Sequence, residues 1–326
     1  PVLGNGHAGF GGRSGETHQR QRWQSAPGRP NNGGADANKR KEANRLLASL
    51  HPDLLYRQEM WGADAKGKSV MESMEEDLAL RGWLGPSSHT AVFAATSLFS
   101  PVRGWPGRDT ETIWKMPLTV LGLRFRPAGP DAVPLVCASY HHNYPSSTQR
   151  HAEADWATTF ADKTWTTPTG MDVKLPVLMG GDHNSYPVPG ADGDLPLPVL
   201  EEIRDQRHRV HRSCIGPDGT RRMCTCPDET LRTAGLEDVA RHIASRSGNT
   251  RALARTVTGC VTHGPDARID RIYASEVLLP AVSDVDVIEV PLDMSDHHIV
   301  RARLDGDRLA DILRQEAHAP QDAGVA

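Results

Sequence analysis

Met179-Gly180-Gly181-Asp182-His183-Asn184 is the end of an apolar run that stops on glycines, a carboxylate, an imidazole and an amide. The run starting at Leu175 reads as a buried strand that hands its last residues to the rim of a core. The glycines let backbone or ligand approach closely. On an extended chain Asp182 and Asn184, two residues apart, point the same way. A carboxylate beside an amide oxygen suits a hard cation or a phosphate. Taken alone, the same residues fit an Asx turn that closes a loop.

The arrangement recurs along the chain. Arg268-Ile269-Asp270-Arg271-Ile272-Tyr273 alternates polar with apolar like a half-buried strand, and Asp270 is placed to orient a histidine; the plainer reading is an ion-paired surface strand. Ser295-Asp296-His297-His298 precedes the strand Ile299–Leu304 and offers a carboxylate and a candidate general base at its lip. Leu54-Leu55-Tyr56 leads into Gln58-Glu59, and Pro134–Ala138 leads into Ser139-Tyr140-His141-His142-Asn143, with Arg150 near the start of the next helix. One polar residue at a strand end is ordinary. The argument rests on the ensemble, which reads as one site that binds a divalent metal and activates a water.

In chain order, Asn5, Gln58-Glu59, His141, Gly181-Asp182-His183-Asn184, Asp270 and Ser295-Asp296-His297 resemble the motifs of the endonuclease/exonuclease/phosphatase superfamily, the DNase I-like proteins. The resemblance runs from residue 2 to residue 304. It implies a four-layered α/β sandwich of two packed mixed sheets flanked by helices, with the site at one end of the facing sheets. It also implies metal-assisted phosphoester hydrolysis. Glu59 would hold Mg²⁺ or Mn²⁺ with Asn5 and Asp296 near it. Asp182 would position or deprotonate the attacking water. His297, oriented by Asp270, would act as base or hold the phosphate, and His141 and Asn184 would donate to phosphoryl oxygens. Asn143 and Arg150 are the candidate substrate contacts. Two departures stand out: His183 fills a position where the family often has an apolar or aromatic residue, and no glutamate near Ser88-His89 can pair with His141.

Strand signals alternate with helix signals early and cluster later, which favours two packed sheets over one doubly wound sheet. The expected organisation is one domain over residues 1–326, with a long loop at 6–38, an elaborated region at 201–262 and a polar tail from about 306. Helices are expected over 37–50, 70–81, 149–163 and 230–242. No apolar run approaches the ~20 residues that span a bilayer. No secretory signal is visible, so the compartment stays open between cytoplasm and secretion, and a monomer is expected.

The net charge of −4 excludes a uniformly basic nucleic-acid binder. Charge is nevertheless uneven: residues 1–50 hold eight Lys and Arg against three acids, a local field that can steer an anionic substrate. A second basic stretch holds Arg204, Arg207, Arg209, Arg212, Arg221 and Arg222. A phosphodiester substrate, with nucleic acid the first choice, is therefore expected. The alternatives are a small or lipid phosphate and a non-catalytic binding module. Aromatic content of 5% leaves little for base stacking, although Trp23, Trp61, Trp105 and His89 are candidates to line a cleft. The odd cysteine count argues against a complete disulfide framework. Cys137 reads as a small core residue. Cys214, Cys224 and Cys226 are spaced unlike a usual zinc motif, so a loop bridge or free thiols ranks ahead of structural zinc.

Overall fold

The computed structural model describes residues 2–5, 37–105, 114–260 and 262–319. In chain order the elements are β1 (Val2–Asn5), α1 (Ala37–Ser49), β2 (Leu54–Arg57), α2 (Ser69–Leu78), β3 (Arg81–Leu84), β4 (Ala91–Ala94), β5 (Phe99–Trp105), β6 (Thr119–Phe125), β7 (Leu135–His141) and α3 (Ser147–Thr158). They continue with β8 (Thr164–Thr166), β9 (Asp172–Lys174), β10 (Val177–Asp182), α4 (Gln206–Arg212), β11 (Ser213–Ile215), β12 (Arg221–Met223), α5 (Cys226–Thr233), β13 (Leu236–Asp238), α6 (Val239–Ser247), β14 (Asp270–Ser275), β15 (Val282–Ile288), β16 (Ile299–Leu304) and α7 (Gly306–Glu316).

Two six-stranded sheets carry the fold, ordered β15-β16-β1-β2-β4-β3 and β13-β14-β10-β7-β6-β5. Each is mixed. In the first, β1 runs parallel to β2 and antiparallel to β16. In the second, β10 runs parallel to β7 and antiparallel to β14. Alternation along β2 sorts its side chains: Leu54 and Tyr56 enter the core between the sheets, while Leu55 packs outward with Ala43 and Leu47 of α1 and Met71 and Met74 of α2. On the far side α5 is tied to β14 by the Tyr273 hydroxyl, which donates to Asp228, and α3 packs on α5. Helix, sheet, sheet, helix makes the four-layered α/β sandwich.

Polar ties fasten the sheets where the site lies. Tyr56 Oη donates to the Leu178 carbonyl at 2.7 Å. The buried Gln58 amide donates to Ser139 Oγ at 3.0 Å and toward the Gly180 carbonyl at 3.4 Å. Thr90 Oγ1 donates to the Ser139 carbonyl at 2.7 Å.

Several expectations need correcting. The helix expected over 230–242 is α5, a reversal at Gly235 (φ +77°), β13 and α6. Asp238 starts α6 by accepting from the Ala240 N–H at 2.9 Å. The helix expected to reach residue 81 ends at Leu78, because Ala79 turns left-handed (φ +54°) and Arg81 opens β3. Strand β5 was not expected, because Pro101 and Gly104 disguise it. It is an edge strand with a register shift between Pro101 and Arg103, where a missing N–H costs no ladder bond. The polar helix and tail expected to close the chain from about 306 open with α7, which is amphipathic and buries Leu309, Ala310, Ile312 and Leu313. Of the long loop expected at 6–38, residues 6–36 lie outside the described residues, as does Trp23, while 37–38 already belong to α1.

Candidate active site

Register places three of the expected residues side by side. Asp182, the last residue of β10, pairs with His141 at the end of β7 and with Asp270 at the start of β14. Only glycine fits before Asp182, because a Cβ on Gly181 would lie 1.9 Å from the Tyr140 carbonyl oxygen. His141 Nε2 lies 3.4 Å from Asp182 Oδ2. The other oxygen, Oδ1, accepts the Asn184 N–H at 2.6 Å. This is the Asx turn of the plainer reading, and it coexists with the site. It also bends the chain, so the extended alternation expected for Asp182 and Asn184 does not hold. Asn184 sits in the left-handed region (φ +49°), and its amide donates to the His142 carbonyl at 3.0 Å.

His297 Nδ1 meets Asp270 Oδ2 at 2.9 Å and Oδ1 at 3.2 Å. Both groups are buried. The contact depends on Thr256 and Val257, for which the sequence gives no signal, and on Ser295 of the expected Ser-Asp-His stretch. Thr256 Oγ1 accepts the N–H groups of Ile269 and Asp270, each at 3.0 Å. Val257 bridges Ala267 on one side and His297 on the other. Ser295 Oγ accepts the His297 N–H at 3.0 Å. His298 is a fastener, with Nδ1 taking the Val290 N–H at 3.2 Å and Nε2 lying 3.3 Å from Thr258 Oγ1.

Charge ties the remaining residues to this row. Burial lowers the pKa of His141, but the Asp182 contact and then the Glu59 carboxylate outweigh it and leave the imidazole raised. Burial likewise opposes protonation of His297, yet Asp270, with Asp296 and Asp182 adding, pushes it up to about 10. Glu59 and Asp296, both half-buried, are thus neighbours of His141 and His297 respectively. Glu59 also takes a left-handed backbone (φ +56°), uncommon for a residue with a side chain and frequent at functional sites. Asn5 ends β1 at this edge, paired with Val300; its side chain lies outside the described residues.

The donor set fits a metal. Asp182, Asp270 and His297 bring their ligand atoms within 4.8 Å of one another, and Glu59 and Asp296 add carboxylates. Sets dominated by carboxylate oxygen favour hard divalent cations. The Asp270–His297 contact is a good hydrogen bond, however, and a metal on Nδ1 would have to break it.

Two expected contacts lie elsewhere. Arg150 is fully buried, donating to the carbonyls of Asn143 at 3.0 Å, Tyr144 at 2.8 Å and His211 at 2.6 Å. It is a strut, with its guanidinium committed to backbone rather than to a ligand. Asn143 Oδ1 accepts the Ser146 N–H at 2.9 Å and shapes the turn into α3. His183 turns away from Asp182 into the layer behind the sheet, where its ring meets Tyr140, His142 and Tyr273. Burial holds its pKa well below the usual value. At the rim, Trp61 stacks on His89 at 4.0 Å, and His141 lies within electrostatic range of His89.

Among solved structures, an AP endonuclease from Archaeoglobus fulgidus superposes with a TM-score of 0.54 at 16% identity, over 82% of this chain and 95% of that one. The chain has the endonuclease/exonuclease/phosphatase fold. A 3′-5′ exonuclease from Neisseria meningitidis shares this DNase I-like fold with a TM-score of 0.52 at 17% identity, over 82% and 95% of the two chains. So does an endonuclease/exonuclease/phosphatase family protein from Bacteroides thetaiotaomicron, with a TM-score of 0.50 at 14% identity over 84% and 93%. At these identities the likeness establishes the fold. No protein-family profile matches the sequence, and no curated protein matches it.

Proposed function

We propose that this chain is a divalent-metal-dependent phosphoesterase that cleaves phosphodiester bonds, acting as a nuclease on DNA or RNA. The observation that carries the reading is the row His141–Asp182–Asp270 across three adjacent strands, with His297 bonded to Asp270. Two proteins of this fold, named as an AP endonuclease and a 3′-5′ exonuclease, support nucleic acid as the substrate class. So do Arg204, Arg207, Arg221 and Arg222, which are exposed; Arg212 is buried beside Tyr144 and takes no part.

Asp182 orients the water and receives its proton as the oxygen adds to phosphorus. The P–O bond to the leaving oxygen then breaks. Asp270 fixes His297 through Nδ1, which presents Nε2 to the phosphoryl group. His141 and the second N–H of the Asn184 amide donate to the equatorial oxygens as charge builds there. Glu59 and Asp296, with Asn5, would hold Mg²⁺ or Mn²⁺. That ion, when bound, supplies charge neutralisation at phosphorus worth several kcal/mol.

The test is supercoiled plasmid and, in parallel, an aryl phosphodiester, each with Mg²⁺, Mn²⁺ or EDTA. His297→Ala and Asp182→Asn serve as controls. Metal-dependent nicking that both variants lose is expected. Ester turnover on an intact plasmid would move the substrate to a small phosphodiester, and inactivity on both would overturn the catalytic reading.

A further inference from the structure

Away from the carboxylates, three cysteines converge. Cys214 lies in β11, Cys224 follows β12, and Cys226 is the first residue of α5. Their sulfurs lie within 4.8 Å of one another, and Cys214 Sγ is 3.9 Å from Cys226 Sγ. All five cysteines are free thiols. A disulfide would need ~2.05 Å. Thiolates bound at ~2.3 Å to a tetrahedral ion stand about 3.8 Å apart. The Cys214–Cys226 separation matches that spacing, and the Cys224 sulfur lies within 4.8 Å of both.

The surroundings suit thiolates. Arg150 lies against Cys224 and Arg222 against Cys214. Cys224 is buried while Cys214 and Cys226 are half-buried, so the fourth corner faces the surface.

We propose that Cys214, Cys224 and Cys226 form a thiolate site for a soft divalent cation of the zinc class, completed by water at the fourth position. Its role is to brace the loops behind the active site. The Cys224 carbonyl accepts the Tyr186 N–H at 3.0 Å, two residues beyond Asn184, and the Cys224 N–H donates to the Arg212 carbonyl at 3.0 Å. Arg150, beside Cys224, holds the carbonyls of Asn143 and Tyr144, two and three residues beyond His141. One ion would thus tie a hairpin and a helix to both segments that leave the catalytic row. The linear spacing hides this, because Cys214 reaches the Cys224-Thr225-Cys226 pair only through the β11–β12 pairing of Ser213 with Met223.

The full chain, purified under reductant, is titrated with Co²⁺. The expected result is one equivalent giving a thiolate-to-cobalt charge-transfer band with tetrahedral d–d bands, displaced by Zn²⁺. Carboxylates give no such band, so an ion at Glu59 and Asp296 is not mistaken for this one. The band is lost in Cys214→Ser and Cys226→Ser and kept in Cys260→Ser. As a check on the parent protein that needs no variant, Zn²⁺ protects Cys214 and Cys226 from alkylation and EDTA restores it. A folded, reduced chain without the band would overturn the proposal. So would a band that persists in both serine variants, alkylation indifferent to Zn²⁺, or a disulfide within the trio after purification without oxidant.

Discussion

In the proposed mechanism Asp270 acts on substrate only through His297. Its carboxylate lies 2.9 Å from Nδ1, where it holds the ring and favours the protonated imidazole. Asp270→Asn keeps shape and loses that preference. Turnover should fall by about 10²–10⁴ with the melting temperature little changed, as for a misplaced imidazole. Turnover within threefold of the parent would remove Asp270 from the mechanism. A second residue-scale effect concerns Glu153, which is wholly buried on α3 and accepts the N–H groups of Asn143 at 2.6 Å and Lys115 at 3.3 Å. Burial, only partly offset by these bonds, raises its pKa from 4.5 to about 7. The folded state then binds this proton more tightly than the unfolded chain does. Stability from this group is fully present below about pH 4.5 and is lost as pH rises to about 7, by up to roughly 3 kcal/mol. Glu153→Gln lacks that slope, so the difference between variant and parent stability should carry it. A difference that does not depend on pH would refute the assignment.

Among elements, the strip around Thr256 matters because it joins two segments that meet nowhere else in sequence. Its hydroxyl satisfies two buried N–H groups at the start of β14. Thr256→Val would strand both, at ~1–3 kcal/mol each, and loosen Asp270. Chemical denaturation should show the loss, Thr256→Ser should recover most of it, and equal stability of the two variants would contradict the account. Strand β10 supplies a harsher case. A methyl on Gly181 has nowhere to go, since the obstacle is the Tyr140 carbonyl rather than a side chain that could swing aside. Gly181→Ala should cost at least ~3 kcal/mol or prevent folding, and a circular-dichroism melt near that of the parent would show that β7 and β10 can part at little cost.

For the whole molecule, the site exists only where the ends of two sheets meet. Glu59 leaves one sheet; His141, Asp182 and Asp270 leave the other. Gln58 bridges them through Ser139 and Gly180. Gln58→Met should lower stability by ~1–3 kcal/mol and reduce turnover by more than that loss explains at a temperature where the variant is folded, since Glu59 follows directly. Unchanged turnover would mean that the ends are registered by the hydrophobic core alone. The core between the sheets is continuous from Leu54 and Tyr56 to Leu178 and Ile272.

Much of this was legible without coordinates. Apolar runs ending in Asp182, His141 and Glu59 identified strands, because period and punctuation are local properties that the chain carries with it, and the resemblance of their motifs to a known superfamily implied the fold. Other features were not. Pro101 and Gly104 concealed an edge strand, and a helical period ran across Gly235 although the chain reverses there. Arg150 read as an anion contact, yet three carbonyls claim it. Thr256 carries no local mark at all, and Cys214 lies outside any usual metal spacing. In each of these the deciding interaction joins residues distant in sequence. Hydrogen-bond geometry and burial exist only after packing, so the sequence set which side chains stand at strand ends, and tertiary structure decided which of them meet.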